Sequence, residues 1–342
     1  MDMDNRANLK RMILAILALS FICAAFVGVS VYVSNRRDNS TITYTPRPSQ
    51  GQTTPTATPL PVLPSVTESN VPATETPQIQ EPVTFAPIDT NTNGETLSVH
   101  FINVGEADSI FVTVGGINML IDAGESNDGK TVVQYLQNLG VETIHYLIAT
   151  HPDQDHIGGM DSVIGRIKTE KIYINNFYKE SKHYENLMES ITKNNLEVIN
   201  PKANTSDYIF SVGAAKCQII APLREYVKSD SNNSSIVIRM TFGEKIFLFM
   251  GDAEKEAEAD ILSKYPNLEA DVVKIAHHGR SDSTSAAFVE RVKPKYAVIP
   301  CEEQNITSSV IKRLENAGTE TYVLGRDGNK VFTTDGKNIE IQ

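Results

Sequence analysis

The chain has 342 residues, of which 40% are hydrophobic and 21% charged, and its formal net charge is -11. That length exceeds one ordinary domain and indicates either two domains or one domain with appendages. The acidic balance argues against a broad basic face for duplex DNA, although it leaves room for local basic clusters.

The first predicted element is an uncharged apolar run of about 22 residues, from Met12 to Val33. A helix of that length spans a hydrocarbon core of roughly 30 Å. The apolar part of a cleaved secretory signal is usually only about 7–15 residues long. We therefore predict that residues 1–37 form a cytoplasmic stub and a signal-anchor transmembrane helix. The alternative is a signal peptide whose cleavage releases a secreted protein.

Residues 38–96 form a low-complexity segment rich in Pro, Thr and Ser, which holds ten of the sixteen prolines. Such a composition buries too little apolar surface to offset the entropy of ordering, so we predict a disordered linker. Tracts of this kind are typical of stalks on exported proteins. They favour a single-pass cell-membrane protein whose C-terminal domain is extracellular.

From Leu97 onward the sequence alternates short strands and helices up to Gln342, which predicts a sheet-cored α/β domain over residues 97–342. The predicted strands are Leu97–Val104, Ser109–Val114, Met119–Asp122, Thr143–Ala149, Ile236–Met240, Lys245–Met250, Asp271–Ile275 and Tyr296–Pro300. The predicted helices include Lys130–Leu139 and Ala253–Lys264.

Four of the seven histidines lie in two short clusters, and each cluster follows an apolar strand. The first cluster runs from Thr150 to Gly159 and contains His151, Asp153, Asp155 and His156. Imidazole and carboxylate ligands together suit Zn²⁺, Mn²⁺ or Fe²⁺. The second cluster is the adjacent pair His277-His278, and between the two clusters Asp252 ends another strand, where it could bridge two ions.

The order His-x-Asp-x-Asp-His, then Gly-Asp, then His resembles the metallo-β-lactamase superfamily. Within it, the chain looks like the C-terminal hydrolase domain of the ComEC-like competence (DNA-uptake) proteins. The resemblance covers nearly all of residues 97–342, excludes the anchor and linker, and lacks the multispanning channel of those proteins. The stretches that carry it are Phe101–Ser109, Leu120–Gly124, His151–Gly159, Asn232–Val237, Gly251-Asp252 and Lys274–Gly279.

The resemblance implies an αββα sandwich that holds two divalent ions, Zn or Mn. In that arrangement one ion is bound by His151 and Asp153, and the other by Asp155, His156 and His277. Asp252 would bridge the pair. Asp155 would also orient the attacking water or accept its proton. His278 would hydrogen-bond the developing charge or donate a proton to the leaving group, or else support His277.

Three departures from the family pattern bear on the substrate. Asn232 stands about where the superfamily often has a further His ligand, so it is a candidate ligand, substrate contact or mere turn residue. Arg280 replaces the usual Ser after His-His-Gly and could contact a phosphate. A Gly-His-Pro element that is common in the family is absent near Thr307, which points to a different substrate or a slower reaction.

The sequence therefore favours an exported, membrane-anchored phosphodiesterase or nuclease that acts on a phosphodiester, with DNA the favoured substrate and single-stranded DNA one candidate form of it. The acidic charge is in tension with DNA, because nucleic-acid affinity normally rests on Lys and Arg. The alternatives are a lactone or β-lactam hydrolase, and a cell-surface binding module that retains the fold but little activity.

Cysteine usage gives no disulfide framework. The two cysteines of the predicted domain, Cys217 and Cys301, lie far apart in the sequence. They fit either one bridge or two separate buried thiols.

Overall fold

The computed structural model describes residues 82–201, 209–227 and 230–342. The predicted anchor, and the predicted linker up to residue 81, lie outside these ranges. Within them, no helix combines the length and the apolar character that crossing a membrane would require.

The described residues fold around two sheets, one of eight strands and one of seven. In the first sheet the spatial order is β15-β14-β1-β2-β3-β4-β5-β6, and in the second it is β13-β12-β11-β10-β9-β8-β7. The first-sheet strands are β1 Leu97–Phe101, β2 Ile110–Val114, β3 Ile117–Ile121, β4 Thr143–Ala149, β5 Lys168–Ile174, β6 Glu197–Ile199, β14 Lys330–Thr334 and β15 Ile339–Ile341. The second-sheet strands are β7 Ile209–Val212, β8 Ala215–Ala221, β9 Val237–Phe242, β10 Lys245–Phe249, β11 Val272–Lys274, β12 Tyr296–Ile299 and β13 Glu320–Val323.

Helices cover the outer face of each sheet, which produces four layers. Those on the first sheet are α1 Gly129–Asn138, α2 Gln154–Ile157, α3 Met160–Ile164 and α4 Lys182–Lys193. Those that follow along the chain are α5 Lys255–Lys264, α6 Ala286–Val292, α7 Ser308–Asn316 and α8 Leu324–Asp327. α5, α6 and α7 pack on the second sheet.

Alternation along the strands builds this layering. In β10, Phe247 and Phe249 point into the cluster between the sheets, whereas Leu248 packs with the helices outside. β12 repeats the pattern, because Val298 faces inward and Ala297 outward. Successive side chains of a strand point to opposite faces, so strands that are apolar on both faces suit a sheet buried on both sides. The predicted αββα sandwich is confirmed.

Strand and helix positions agree with the sequence expectations within a few residues. Thr143–Ala149 is a strand over its whole predicted length, and the helix predicted at Lys130–Leu139 spans Gly129–Asn138. The first predicted strand is too long, because it ends at Phe101 rather than Val104. Ends of elements vary by one or two residues with the definition used, so these differences leave the fold unchanged.

The folded unit begins before Leu97. The Val83 N–H donates to the Lys264 carbonyl oxygen at 2.7 Å, and the Phe85 ring stacks on Tyr265 with centroids 4.9 Å apart. The Arg239 guanidinium carbon also lies over the Phe85 ring, 4.0 Å from its centroid. Two apolar residues of the predicted linker, Val83 and Phe85, therefore pack against the cluster that contains Tyr265.

Cys217 and Cys301 are both buried free thiols. Of the two alternatives, the structure has the separate thiols.

Candidate metal centre

The candidate site lies where strands of both sheets end. β4 runs into Thr150-His151, β10 into Gly251-Asp252, and β11 into the turn Ala276–Gly279. β3–β4 and β10–β11 are parallel pairs, so the carboxyl ends within each pair lie at the same edge. Carboxyl ends of parallel strands are where open α/β sheets collect their ligand sites.

Four side chains present ligand atoms that all lie within 4.8 Å of one another: Asp155, His156, Asp252 and His278. Asp252 Oδ2 lies 3.2 Å from His156 Nε2 and 3.4 Å from His278 Nε2. His278 Nε2 is also 3.2 Å from Asp155 Oδ2. Ligand atoms that bind one ion at about 2.0–2.2 Å stand roughly 3–3.5 Å apart, so the spacing fits a shared ion.

Hydrogen bonds fix the orientation of the two histidine rings in this set. His156 Nδ1 lies 2.8 Å from Asp122 Oδ2, and His278 Nδ1 lies 2.9 Å from the Pro300 carbonyl oxygen. Carboxylate and carbonyl oxygens only accept, so Nδ1 must carry the proton in each ring. Each Nε2 is thereby left to face the cluster, which is the arrangement that metal-binding histidines use.

Two buried nitrogens support a metal centre over a purely structural network. His151 Nε2 and His156 Nε2 are shielded from solvent and make no hydrogen bond with any residue that the structure describes. An unsatisfied buried polar atom is costly, and in native proteins it calls for a specific explanation such as a bound ion. The donor set of imidazole nitrogen and carboxylate oxygen matches Zn²⁺ and Mn²⁺ chemistry, so the residues present fit a divalent ion.

The carboxylates dominate the electrostatics of the site. Burial disfavours the charged His278 ring, but Asp252 and Asp155 outweigh this and raise the pKa of His278 to about 9. Burial likewise opposes the charge on His156, yet Asp252 and Asp122 raise its pKa well above the usual range. His156, His278 and Lys274 in turn hold the pKa of Asp252 far below normal against the effect of its burial. The carboxylates and the imidazole rings therefore stabilise each other's charged forms.

A fully buried lysine lies beneath the candidate ligands. Lys274 Nζ forms an ion pair with Asp108, donates to the Gly251 carbonyl oxygen at 2.8 Å and lies 3.4 Å from Asp252 Oδ1. Burial lowers the pKa of such an ammonium, but Asp108 and Asp252 outweigh it and leave the pKa of Lys274 raised. Lys274 therefore stays charged and restrains the carboxylate that faces His156 and His278.

The two adjacent histidines lie in different groups of residues, and each has neighbours other than those expected. His278, expected to act on the leaving group or to support His277, joins the four-residue set. His277, expected as a ligand, groups instead with Glu254 and Asp282, and its Nδ1 lies 2.9 Å from Asp282 Oδ1. The physical reason is the backbone: both histidines have left-handed φ values of 48° and 50°, so their side chains diverge from a tight turn.

His151 and Asp153, the expected ligands of the other ion, lie beside this set. His151 Nε2 is 4.0 Å from Asp252 Oδ2, and the His151 and His156 ring centroids are 4.0 Å apart. Asp153 Oδ1 lies 2.7 Å from Lys179 Nζ. His151 is thus farther from Asp252 Oδ2 than His156 is, at 4.0 Å compared with 3.2 Å.

Glycine allows the loop under these residues. A Cβ atom at Gly159 would stand 2.1 Å from the Ala123 carbonyl oxygen. The Gly159 N–H donates to the Gly124 carbonyl oxygen at 3.0 Å, which ties this loop to the turn after β3. The loop backbone therefore passes too close to the backbone after β3 for any side chain at position 159.

The two candidate substrate contacts are both engaged by acidic residues. Asn232 Nδ2 donates to Glu254 Oε1 at 2.8 Å and lies 3.5 Å from His277 Nε2. Arg280 Nη2 pairs with Glu106 Oε1 at 2.7 Å, and Asn305 donates to the same carboxylate. Arg280 remains half-exposed, and Thr307 begins the turn into α7.

Sequence reasoning assigned no role to three residues that organise the site. Asp122 orients His156, and Asp108 with Lys274 forms the buried ion pair beneath Asp252. All three lie in stretches that carried the family resemblance, so the resemblance marked their positions. Their roles depend on partners that are distant in sequence, which no local pattern reveals.

Comparison with known proteins places this geometry in a family. The model of the metallo-beta-lactamase superfamily matches residues 102–302. "ComE operon protein 3" of Bacillus subtilis is 27% identical over 225 residues, which are 60% of this chain and 28% of that protein. "Competence protein ComA" of Neisseria gonorrhoeae is 27% identical over 246 residues, which are 67% of this chain and 32% of that protein. The match therefore spans about a third or less of each relative.

Solved structures are more distant. A diphosphatase of the PhnP family is 15% identical with a TM-score of 0.42, over 67% of this chain and 94% of that one. A subclass B3 metallo-beta-lactamase from a soil metagenome library is 13% identical with a TM-score of 0.37, over 58% and 81% of the two chains. The family model covers more than half of the sequence, and with it the candidate centre: this chain belongs to the metallo-beta-lactamase superfamily.

Proposed function

We propose that the protein is an exported, membrane-anchored phosphodiesterase or nuclease that uses two divalent ions, with single-stranded DNA the favoured substrate. The observation that carries the proposal is the convergence of His156, His278, Asp155 and Asp252 on one buried point. Oxygen-rich ligand sets suit hard ions such as Mn²⁺ as well as Zn²⁺, and such ions suit phosphate oxygens. The relatives named for competence are compatible with a DNA substrate.

The ion positions follow from the ligand atoms. One ion would be held by Asp155, His156 and His278, and the other by His151 and Asp153, with Asp252 shared between them. When bound, such ions supply the Lewis acidity that activates water and polarises a phosphoryl oxygen.

Asp155 is the residue we assign to the proton of the attacking water. Its side chain is 30% exposed, whereas those of His156 and Asp252 are buried. It can therefore meet substrate and solvent from the open side of the centre. His278 holds Asp155 Oδ2 at 3.2 Å, and together with His156 it keeps the pKa of Asp155 low against the effect of burial. An ionised carboxylate at this place can orient a water and accept its proton.

Acidic groups around the centre bear on substrate size. Glu254 and Asp282 flank His277, and Glu106 neutralises Arg280. Affinity for a long nucleic acid normally depends on many Lys and Arg contacts with phosphates. A small phosphodiester would not need many Lys and Arg contacts. It is the second substrate candidate within the same reaction class.

The proposal includes the location of the protein in the cell. The apolar run from Met12 to Val33 and the Pro/Thr-rich segment after it support an anchored domain outside the cytoplasmic membrane. The alternative is secretion after signal cleavage. A protease-protection assay on intact cells and on lysed cells distinguishes an external anchored domain from an internal one, and the culture medium reports secretion.

A substrate panel tests the chemistry. The purified full-length chain, supplied with Mn²⁺ or Zn²⁺, is assayed against single-stranded DNA, bis-p-nitrophenyl phosphate, a lactone and a chromogenic cephalosporin. Metal-dependent cleavage of either phosphodiester supports the proposal, and DNA cleavage supports its favoured form. Turnover of the lactone or cephalosporin with inert phosphodiesters would overturn it. Stable metal binding without any turnover would favour the surface binding module.

A further inference from the structure

A lysine from the loop after β5 reaches the weaker side of the candidate centre. Lys179 Nζ lies 2.7 Å from Asp153 Oδ1, which is the distance of a close ion pair. The Lys179 side chain is 41% exposed and that of Asp153 is 24% exposed. A carboxylate oxygen that a metal ion would need is therefore already held by a cation of this chain.

The two halves of the centre also differ in how many ligands they offer. Asp155, His156, Asp252 and His278 present four atoms within 4.8 Å of one another. On the other side, His151 Nε2 lies 4.0 Å from the shared Asp252 Oδ2, compared with 3.2 Å for His156 Nε2. Asn232, the candidate further ligand on that side, donates its amide N–H to Glu254 Oε1.

We propose that Lys179 competes with a metal ion for Asp153, so that the centre binds its two ions with unequal affinity. The tight position is the four-ligand set, and the weak position is the pair His151 and Asp153. The inference rests on the metal centre of the proposed function. It adds to that centre an order of loading and the residue that sets it.

The chemistry of lysine suits this role. Its ammonium group is a compact charge on a flexible four-carbon stem, so it can leave Asp153 without moving the backbone. A half-exposed ion pair is worth little, because solvent screens it, so the competition should weaken metal binding by about tenfold or less. Lys274 has the opposite character, since it is fully buried and fixed by three contacts.

The test is a calorimetric titration of Mn²⁺ into the metal-stripped full-length protein and two variants. Lys179→Gln removes the competing charge. Lys182→Gln is the matched control, because Lys182 is exposed at the start of α4 and pairs with Glu185 at 3.6 Å. In the wild type we expect two steps of unequal affinity. In Lys179→Gln the weaker step should tighten by about tenfold with the tight step unchanged, and Lys182→Gln should match the wild type.

A second step that is measurable only in Lys179→Gln would support the inference more strongly. Equal steps in the wild type, a single step in all three proteins, or a weaker step that Lys179→Gln leaves unchanged or weakens would overturn it. Absence of binding in every protein would overturn the metal centre together with the inference. Two normal steps without cleavage of any phosphodiester would overturn the proposed reaction alone.

Discussion

Asp122 Oδ2 accepts hydrogen bonds from both His156 Nδ1, at 2.8 Å, and Thr150 Oγ1, at 2.6 Å. Asp122 Oδ1 accepts a third, from the Thr150 N–H at 2.9 Å. The carboxylate thus connects the end of β3 with the end of β4 and fixes the ring of one candidate ligand. It touches neither the open side of the centre nor any expected position of substrate.

Replacing this orienting carboxylate should weaken metal binding. In Asp122→Asn the amide nitrogen can donate to His156 Nδ1, which moves the ring proton to Nε2 and removes the lone pair that a metal needs. Losing such a partner typically costs about 10–100-fold in metal affinity. Calorimetry with Zn²⁺ or Mn²⁺ measures the change, and Glu189→Gln on the exposed face of α4 is the control. Unchanged metal affinity in Asp122→Asn would contradict the role of Asp122 in orienting His156.

The buried ion pair predicts a large stability difference between two lysines. Lys274→Met leaves Asp108 and Asp252 without their cation, and breaking a buried pair in this way costs about 3–5 kcal/mol of unfolding free energy. Lys293 makes an exposed pair with Glu269 at 2.8 Å, so Lys293→Met should cost about 1 kcal/mol or less. Urea unfolding of the metal-free proteins compares them. Similar losses in both variants would contradict a special role for Lys274.

His100 predicts a pH dependence that is independent of the metal centre. Its ring is buried in the first sheet, 3.0 Å from the Tyr135 hydroxyl, and burial lowers its pKa. The pKa of His100 is therefore lower in the folded protein than in the unfolded chain, where it is about 6.5. As the pH falls below about 6.5, the unfolded chain takes up a proton at this residue before the folded protein does. The stability that the neutral ring contributes above that pH is then lost. The unfolding free energy of wild type should therefore drop more steeply between pH 7 and pH 5 than that of His100→Gln. Parallel curves would contradict this.

The two domain thiols should be inert in the native protein. Burial raises the pKa of Cys217, and burial with the nearby carboxylates of Glu106 and Glu302 raises the pKa of Cys301 to about 12. Thiolates are the reactive form, so a thiol reagent at pH 8 should label neither residue until the protein unfolds. A Cys23→Ser background isolates the two signals. Rapid labelling of native protein, or no labelling after unfolding without reductant, would contradict free buried thiols.

Much of the fold and part of the site could be predicted from sequence, because both depend on local patterns. The alternation of apolar residues located strands such as Thr143–Ala149, and the motif after it placed His151, Asp153, Asp155 and His156 in one loop. Parallel strands then bring Asp252 to that loop. These positions could be predicted because a residue type, its spacing and the end of a strand coincide there.

What the sequence could not supply depends on backbone angles and distant partners. The choice between His277 and His278 follows from two left-handed residues in succession, which the sequence pattern does not encode. Lys274 and Lys179 look alike in the sequence, yet one is fully buried beneath Asp252 and the other half-exposed over Asp153. Whether a charged side chain is buried depends on how the two sheets pack together, which the local sequence does not show.

The central claim is that Asp155, His156, Asp252 and His278 form a divalent-metal centre that cleaves phosphodiesters. The most direct measurement follows metal content and bis-p-nitrophenyl phosphate cleavage together, in wild type and in His156→Ala, Asp155→Ala and the control Asp161→Ala. We predict that His156→Ala loses at least one bound ion and cleavage, that Asp155→Ala loses cleavage, and that Asp161→Ala retains both. Cleavage that persists in His156→Ala and Asp155→Ala, or that survives complete removal of metal, would contradict the account.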